Sequence, residues 1–169
     1  AKFRKNGFKL ENVFAPPISI AMLFPGLGAE HQKFMKNYTH LACIEVAIRD
    51  EAVGEISVNK NGKLIVKKDL TSQDKKRRDK GLNAVQEIFS SLGAKEIIQS
   101  PFYFGLHLMG GCIIGQNPEK SVVNEAYQVH GLPNMYISDS STFPSAPGIN
   151  PALTIMTISQ KLSEELVKH

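Results

Sequence analysis

A chain of 169 residues, 42% hydrophobic and 21% charged, has the size and composition of one ordinary globular domain with a core of its own. No apolar run approaches the roughly 18 residues that span a bilayer, and the charged start AKFRKNGFKLENVF lacks the apolar centre of a secretory signal. The net charge of +4 rests largely on Lys67-Lys68 and Lys75-Lys76-Arg77-Arg78, with no aromatics interleaved, so a nucleic-acid surface is not expected.

Because the chain starts at Ala1 rather than Met, it reads as an excised segment, and its compartment is open. The two cysteines, Cys43 and Cys112, have neither metal nor redox spacing. Cys43, inside LACIEVAI, reads as a small buried hydrophobe; a disulfide between the two has nothing to support it. Such sparse cysteine use leans toward a reducing, cytoplasmic setting.

In chain order, residues 1–30 hold Pro16, Pro17 and Pro25 around ISIAMLF, a strand or a short helix. Residues 38–49 are apolar and partly β-branched, which predicts a buried strand. EISVNK and KLIVKK alternate apolar with polar residues and meet at Asn61-Gly62, a pair suited to a type I′ hairpin turn. Thr71 or Ser72 caps a helix running to Leu92, with Leu82, Val85, Ile88, Phe89 and Leu92 at helical spacing and Gly93 as the stop. The basic run in the first half of that helix, beside Asp74 and Asp79, reads as a solvated face. Residues 95–99 read as a short strand, and residues 105–115 as a structured glycine loop. Residues 135–137 form a strand ending at Asp139. Residues 151–167 form a last helix, with Asn150 as its N-cap and Pro151 in its first turn.

The five histidines show no metal spacing, and the H-E-x-x-H, G-x-S-x-G and Walker-type phosphate-loop patterns are absent, so no metal site is expected. The informative stretches are L-H-L-M-G-G-C-I-I-G, at 106–115, and S-D-S-S-T-F-P-S-A-P-G-I-N-P-A-L-T-I-M-T, at 138–157. In the first, His107 precedes a Gly-Gly pair, which lets backbone approach a ligand or another segment closely. In the second, prolines and a glycine fix the path from Asp139 to Asn150. Taken alone, a histidine is more often structural, and an asparagine before a helix is more often only a cap.

These blocks, with S-V-V-N and V-H-G-L-P-N-M-Y-I-S-D-S-S between them, resemble the glucose–methanol–choline (GMC) oxidoreductases. The Gly-Gly-Cys and the Asn-Pro pair are most similar to the branch that holds cholesterol oxidases and long-chain alcohol oxidases. The resemblance implies an α+β fold, an antiparallel (mixed) sheet with flanking helices that forms a substrate domain. Residues 1–105 would belong to that domain and residues 106–133 would be the active-site loop and connection. Residues 134–169 would return to the FAD domain as a strand and the terminal helix. It also implies His107 as the active-site histidine and Asn150 as its partner, with Asp139, Ser140, Pro151 and Ala152 against the FAD.

The chemistry suits those residue types. Alcohol oxidation removes a hydroxyl proton, and histidine titrates near neutral pH, at about 6.5. An amide can hold the substrate oxygen, and the flavin takes the hydride. The family's G-x-G-x-x-G pyrophosphate turn is not found among the 13 glycines; Gly26-Leu27-Gly28 is nearest and has His31 at the third position. The main FAD-binding part is therefore expected outside this chain, which alone would be inactive and prone to self-association. The Phe102-Tyr103-Phe104 cluster suits a fatty alcohol or sterol, with plain aromatic packing as the alternative. Two rival functions stay open: cyanohydrin cleavage on the same scaffold, and a non-catalytic binding module.

Overall fold

A computed structural model describes residues 3–51 and 54–168, without the Arg4 side chain. It is α+β and divides into two compact units, Ala1–Phe104 and Gly105–His169. Strands β1 (Phe8–Val13) and β2 (Cys43–Ile48) form one antiparallel pair, with Phe8 opposite Ile48 and Val13 opposite Cys43. Strands β3 (Glu55–Val58) and β4 (Leu64–Lys67) form another. Helices α1 (Pro17–Ala21) and α2 (Ala29–Lys36) lie between β1 and β2, and α3 (Ser72–Ser91) follows β4. Helix α4 (Ala152–Leu166) ends the second unit.

Several expectations shift. The buried strand is shorter than residues 38–49: Tyr38–His40 turn as a 3-10 helix, and the strand begins at Cys43. ISIAMLF contributes α1, started by Pro17, while the strand of this region lies earlier, at Phe8–Val13. Residues 95–99 form no strand, since no neighbouring strand pairs with them. Both cysteines are free thiols; Cys43 is half-buried, and that burial pushes its thiol pKa up.

The hairpin forms where expected, but its turn is not type I′, because Gly62 has φ 75° while Asn61 does not enter the positive region. The loop is instead built on Asn59. Its N–H donates to the Lys63 carbonyl, its carbonyl accepts from the Gly62 N–H, and its Oδ1 accepts from the N–H groups of Asn61 and Lys63. This is a longer loop with glycine at the left-handed position. The register places Ile56 and Val58 beside Val66 and Leu64 on one face, and all four are 60–72% exposed.

Helix α3 packs across β1 and β2. Its buried positions Asp74, Gly81 and Val85 share one face at helical spacing. Gly81 allows the close approach, because a side chain there would run into Val46 and Phe8. The expected apolar stripe holds through Phe89, but Leu92, the C-cap, is 76% exposed. Among the described residues the core of this unit is small, with Phe8, Ile20 and Val85 as its buried large apolar side chains.

A buried carboxylate fixes the start of α3. Asp74 is fully buried, and Thr71 caps the helix in a reciprocal capping box with it. The Asp74 carboxylate accepts from Thr71 N–H at 3.1 Å, Thr71 Oγ1 at 2.7 Å and Glu51 N–H at 2.9 Å. Arg77 adds a contact at 3.4 Å while donating to the Arg49 carbonyl at 2.7 Å, so the helix grips the chain leaving β2. The basic run is therefore only partly a solvated face: Lys75 and Lys76 are exposed, whereas Arg77 is committed here and Arg78 lies 5.6 Å over the Tyr103 ring. Burial alone pushes the Asp74 pKa up, but the hydrogen bonds from Glu51 and Thr71 and the charge of Arg77 outweigh it and hold it low.

Two outcomes follow for stability. Asp74→Asn is expected to cost about 2 kcal/mol at neutral pH in a denaturant titration, through the lost cap and unsatisfied donors. Because the folded pKa is depressed, the carboxylate stabilises fully above the unfolded value of about 3.9 and less as pH falls through the folded value. The variant should accordingly show a shallower loss of stability below about pH 4. Gly81→Ala should cost about 1–3 kcal/mol by overpacking against Val46; an unchanged midpoint would mean that α3 can move outward freely.

Candidate active site

The second unit is organised around a short main-chain frame. Asp139 caps a 3-10 helix, Ser140–Thr142, by accepting from the Ser141 N–H at 2.7 Å. Thr142 Oγ1 donates back to the Asp139 carbonyl at 2.8 Å. Against this turn runs the loop after His107: Gly110, Cys112 and Ile114 donate to the carbonyls of Ser140, Ser141 and Thr142 at 3.1, 2.9 and 3.0 Å. Alternate residues donate, as in a strand edge. Gly110 and Gly111 take φ of 85° and 101°, where a side chain would be strained, so both glycines are needed here. Among the described residues of this unit, Val123, Thr142, Phe143, Pro151 and Leu162 are buried. Ser159 Oγ on α4 donates to the Ser138 carbonyl at 2.8 Å, tying the helix to the same frame.

His107 is exposed and lies one residue before Leu108, whose carbonyl accepts from Ser140 Oγ at 2.9 Å. Asp139 and Ser140 are thus brought to the loop that carries His107. Asp139 does not end a strand: residues 135–137 contribute only a single bridge, Tyr136 to Gln128, so the carboxylate serves as a cap instead. Hydrogen bonding by the Ser141 side chain, and then by its N–H, holds the Asp139 pKa below its usual value.

Asn150 is exposed, and the N-cap falls one residue later than expected. The Pro151 carbonyl accepts the first helical bond, from Ile155 N–H at 2.9 Å, so Pro151 is the cap and Asn150 precedes it. Pro151 offers no side-chain acceptor to the first-turn N–H groups. Pro151 is buried, while Ala152 is exposed and Leu153 and Met156 are 73% and 59% exposed. Helix α4 therefore presents an apolar surface at its start. Among the described residues no cluster of three or more His, Cys, Asp or Glu could hold a metal.

Sequence reasoning passed over the framing role of Ser141 and Thr142, although an Asp followed by Ser and Thr is a local signal for such a turn. It also passed over His130, whose Nε2 lies 3.1 Å from both Ser121 Oγ and the Gly115 carbonyl, closing the turn after the glycine loop. Tyr127 sits at φ 61° in a loop with the hydrogen-bond scheme of the β3–β4 turn: Asn124 plays the part of Asn59, and Tyr127 that of Gly62.

The family model for GMC oxidoreductase matches residues 50–159. An uncharacterized GMC-type oxidoreductase of Mycobacterium tuberculosis is 22% identical over 96% of this chain and 29% of its own length. A long-chain-alcohol oxidase of Arabidopsis thaliana is 26% identical over 90% of this chain and 25% of its own length. Among solved structures, pyridoxine 4-oxidase from Mesorbium loti shares the fold, with a TM-score of 0.59 at 17% identity, over 76% of this chain and 30% of that one. The chain thus spans under a third of the length of these relatives.

Proposed function

We propose, since this chain belongs to the GMC oxidoreductase family, that it carries the substrate-handling part of an FAD-dependent enzyme that oxidises the CH–OH group of an alcohol. The observation that carries this reading is the frame at Ser138–Thr142, which is hydrogen-bonded both to the loop after His107 and to α4, the helix that follows Asn150. A frame of that kind is what a site needs if two separate segments are to act on one substrate.

His107 is the general base that accepts the hydroxyl proton. An imidazole suits this step because it exchanges a proton near neutral pH. Asn150 orients the substrate by donating its amide N–H to the hydroxyl oxygen, which holds the carbinol carbon in place. The head of α4 fits a flavin: the partial positive charge of its first turn suits the ring's carbonyl oxygens, and exposed Leu153 and Met156 suit its apolar faces. Asp139, Ser140, Pro151 and Ala152 would hold the FAD. When bound, FAD supplies the hydride acceptor that no amino-acid side chain can provide.

Leu106 and Leu108 flank His107 and are 63% and 72% exposed, which favours an apolar alcohol over a polyol. The relation to a protein named as a long-chain-alcohol oxidase points the same way. The pyrophosphate turn is absent from the glycines of this chain, so the cofactor needs a dinucleotide-binding part from elsewhere.

In an enzyme that joins this chain to such a part, His107→Ala is expected to lower turnover by about 10²–10⁴-fold; unchanged turnover would remove the general-base role. The chain alone, mixed with FAD and passed through gel filtration, should elute without a flavin absorbance band. It should also elute earlier with rising concentration, because α4 leaves Leu153 and Met156 uncovered. A yellow, stoichiometric peak would refute the need for a separate cradle.

A further inference from the structure

The loop that carries His107 is gripped at two adjacent points by one residue. Through its carbonyl, Ser140 accepts from the Gly110 N–H at 3.1 Å, and through its hydroxyl it donates to the Leu108 carbonyl at 2.9 Å. The two grips act on the peptide groups on either side of Met109. Together they fix the backbone at that residue, and with it the direction in which the chain runs back to His107. The carbonyl grip survives any substitution at 140. The hydroxyl grip is the part that a serine adds.

Packing does little of the same work, with Met109 the half-buried side chain between the two grips. Leu106 and Leu108 are 63% and 72% exposed, and Gly110 and Gly111, just beyond, have no side chains to anchor. Ser140 is itself preset: it opens the 3-10 helix that Asp139 caps, so its Cβ direction is fixed before it reaches Leu108.

We propose that Ser140 is a positioning residue for His107, holding the imidazole in register through the bond from its hydroxyl to the Leu108 carbonyl. The inference rests on the reading of His107 as the base, and it assigns Ser140 a task apart from any contact with the cofactor. A misplacement of about 1 Å can cost a reaction about 10²-fold, so one hydrogen bond at this point reaches further than its own small energy.

The test uses ¹⁵N relaxation on the chain as it stands. In Ser140→Ala, the order parameters of the His107 and Leu108 N–H groups should fall from the rigid range near about 0.85 toward the flexible range below about 0.6. Gly110, held by the surviving carbonyl grip, and His130, which donates to the Val122 carbonyl, should stay unchanged and report an intact fold. Ser140→Thr keeps the hydroxyl and should restore order; Ser140→Cys, close in size but a weak donor, should loosen the loop without leaving a cavity. Order at His107 that matches the parent in either folded donor-poor variant would overturn the proposal. In the flavin-loaded enzyme, Ser140→Ala should lower kcat by about 10²-fold with little change in KM, and should add nothing in a His107→Ala background. Loosening without a fall in kcat would leave the grip standing and strike the catalytic reading of His107 instead.

Discussion

Three main-chain hydrogen bonds, from Gly110, Cys112 and Ile114 to the carbonyls of Ser140, Ser141 and Thr142, hold together the second unit, whose described residues form no regular strand. Because both partners are backbone, the frame places few demands on side chains. What it does demand is specific. Two consecutive residues must accept positive φ, which only glycine does without strain, and the opposing turn must be capped from within, which Asp139 does. His107 lies three residues before the frame and the start of α4 lies some ten residues after it. Their placement is therefore inherited from the frame and not set by a core of their own.

The first unit solves a different problem, that of seating a long helix on only two strands. It does so with a carboxylate and a glycine. Asp74 gathers donors from Thr71, Glu51 and Arg77 and so joins the head of α3 to the chain leaving β2, while Gly81 lets the helix lie close against Val46. The buried charge is tolerable because its acceptor sites are filled; burial without those donors would have driven it neutral. With Phe8, Ile20 and Val85 as the buried large apolar side chains among its described residues, the unit leans heavily on such local closures.

Much of this was legible in the sequence, and the parts that were not share a cause. Helix α3, its Thr71 cap and its Gly93 stop follow from side-chain chemistry within one turn, so they read directly. The β3–β4 hairpin also read correctly, but its turn did not: Asn59, two residues before the Asn-Gly pair, captured the loop with its side chain. Residues 95–99 and 135–137 look like strands because of the short runs Ile97-Ile98 and Met135-Tyr136-Ile137. A strand, however, needs a partner at its edge, and nothing local in a sequence states whether one arrives. At the site, residue types marked His107 and Asn150, whereas the hydroxyl of Ser140 and the turn it opens depend on contacts 32 residues away. The α4 boundary lies one residue later than the side-chain types suggest, because the Pro151 carbonyl is the one that accepts the first helical bond, from Ile155 N–H.

The two Asn-centred loops, at 59–63 and 124–128, share one hydrogen-bond scheme, but the left-handed position holds glycine in the first and Tyr127 in the second. For a residue with a side chain the left-handed conformation costs about 1–2 kcal/mol. The second unit therefore carries a small debt of conformational energy in the connection that leads to Asp139, set by its fold and not by its local sequence. Evolution or a protein engineer could draw on that reserve: the same loop with glycine would be firmer, and the margin gained could offset a destabilising change at the nearby glycine-rich frame.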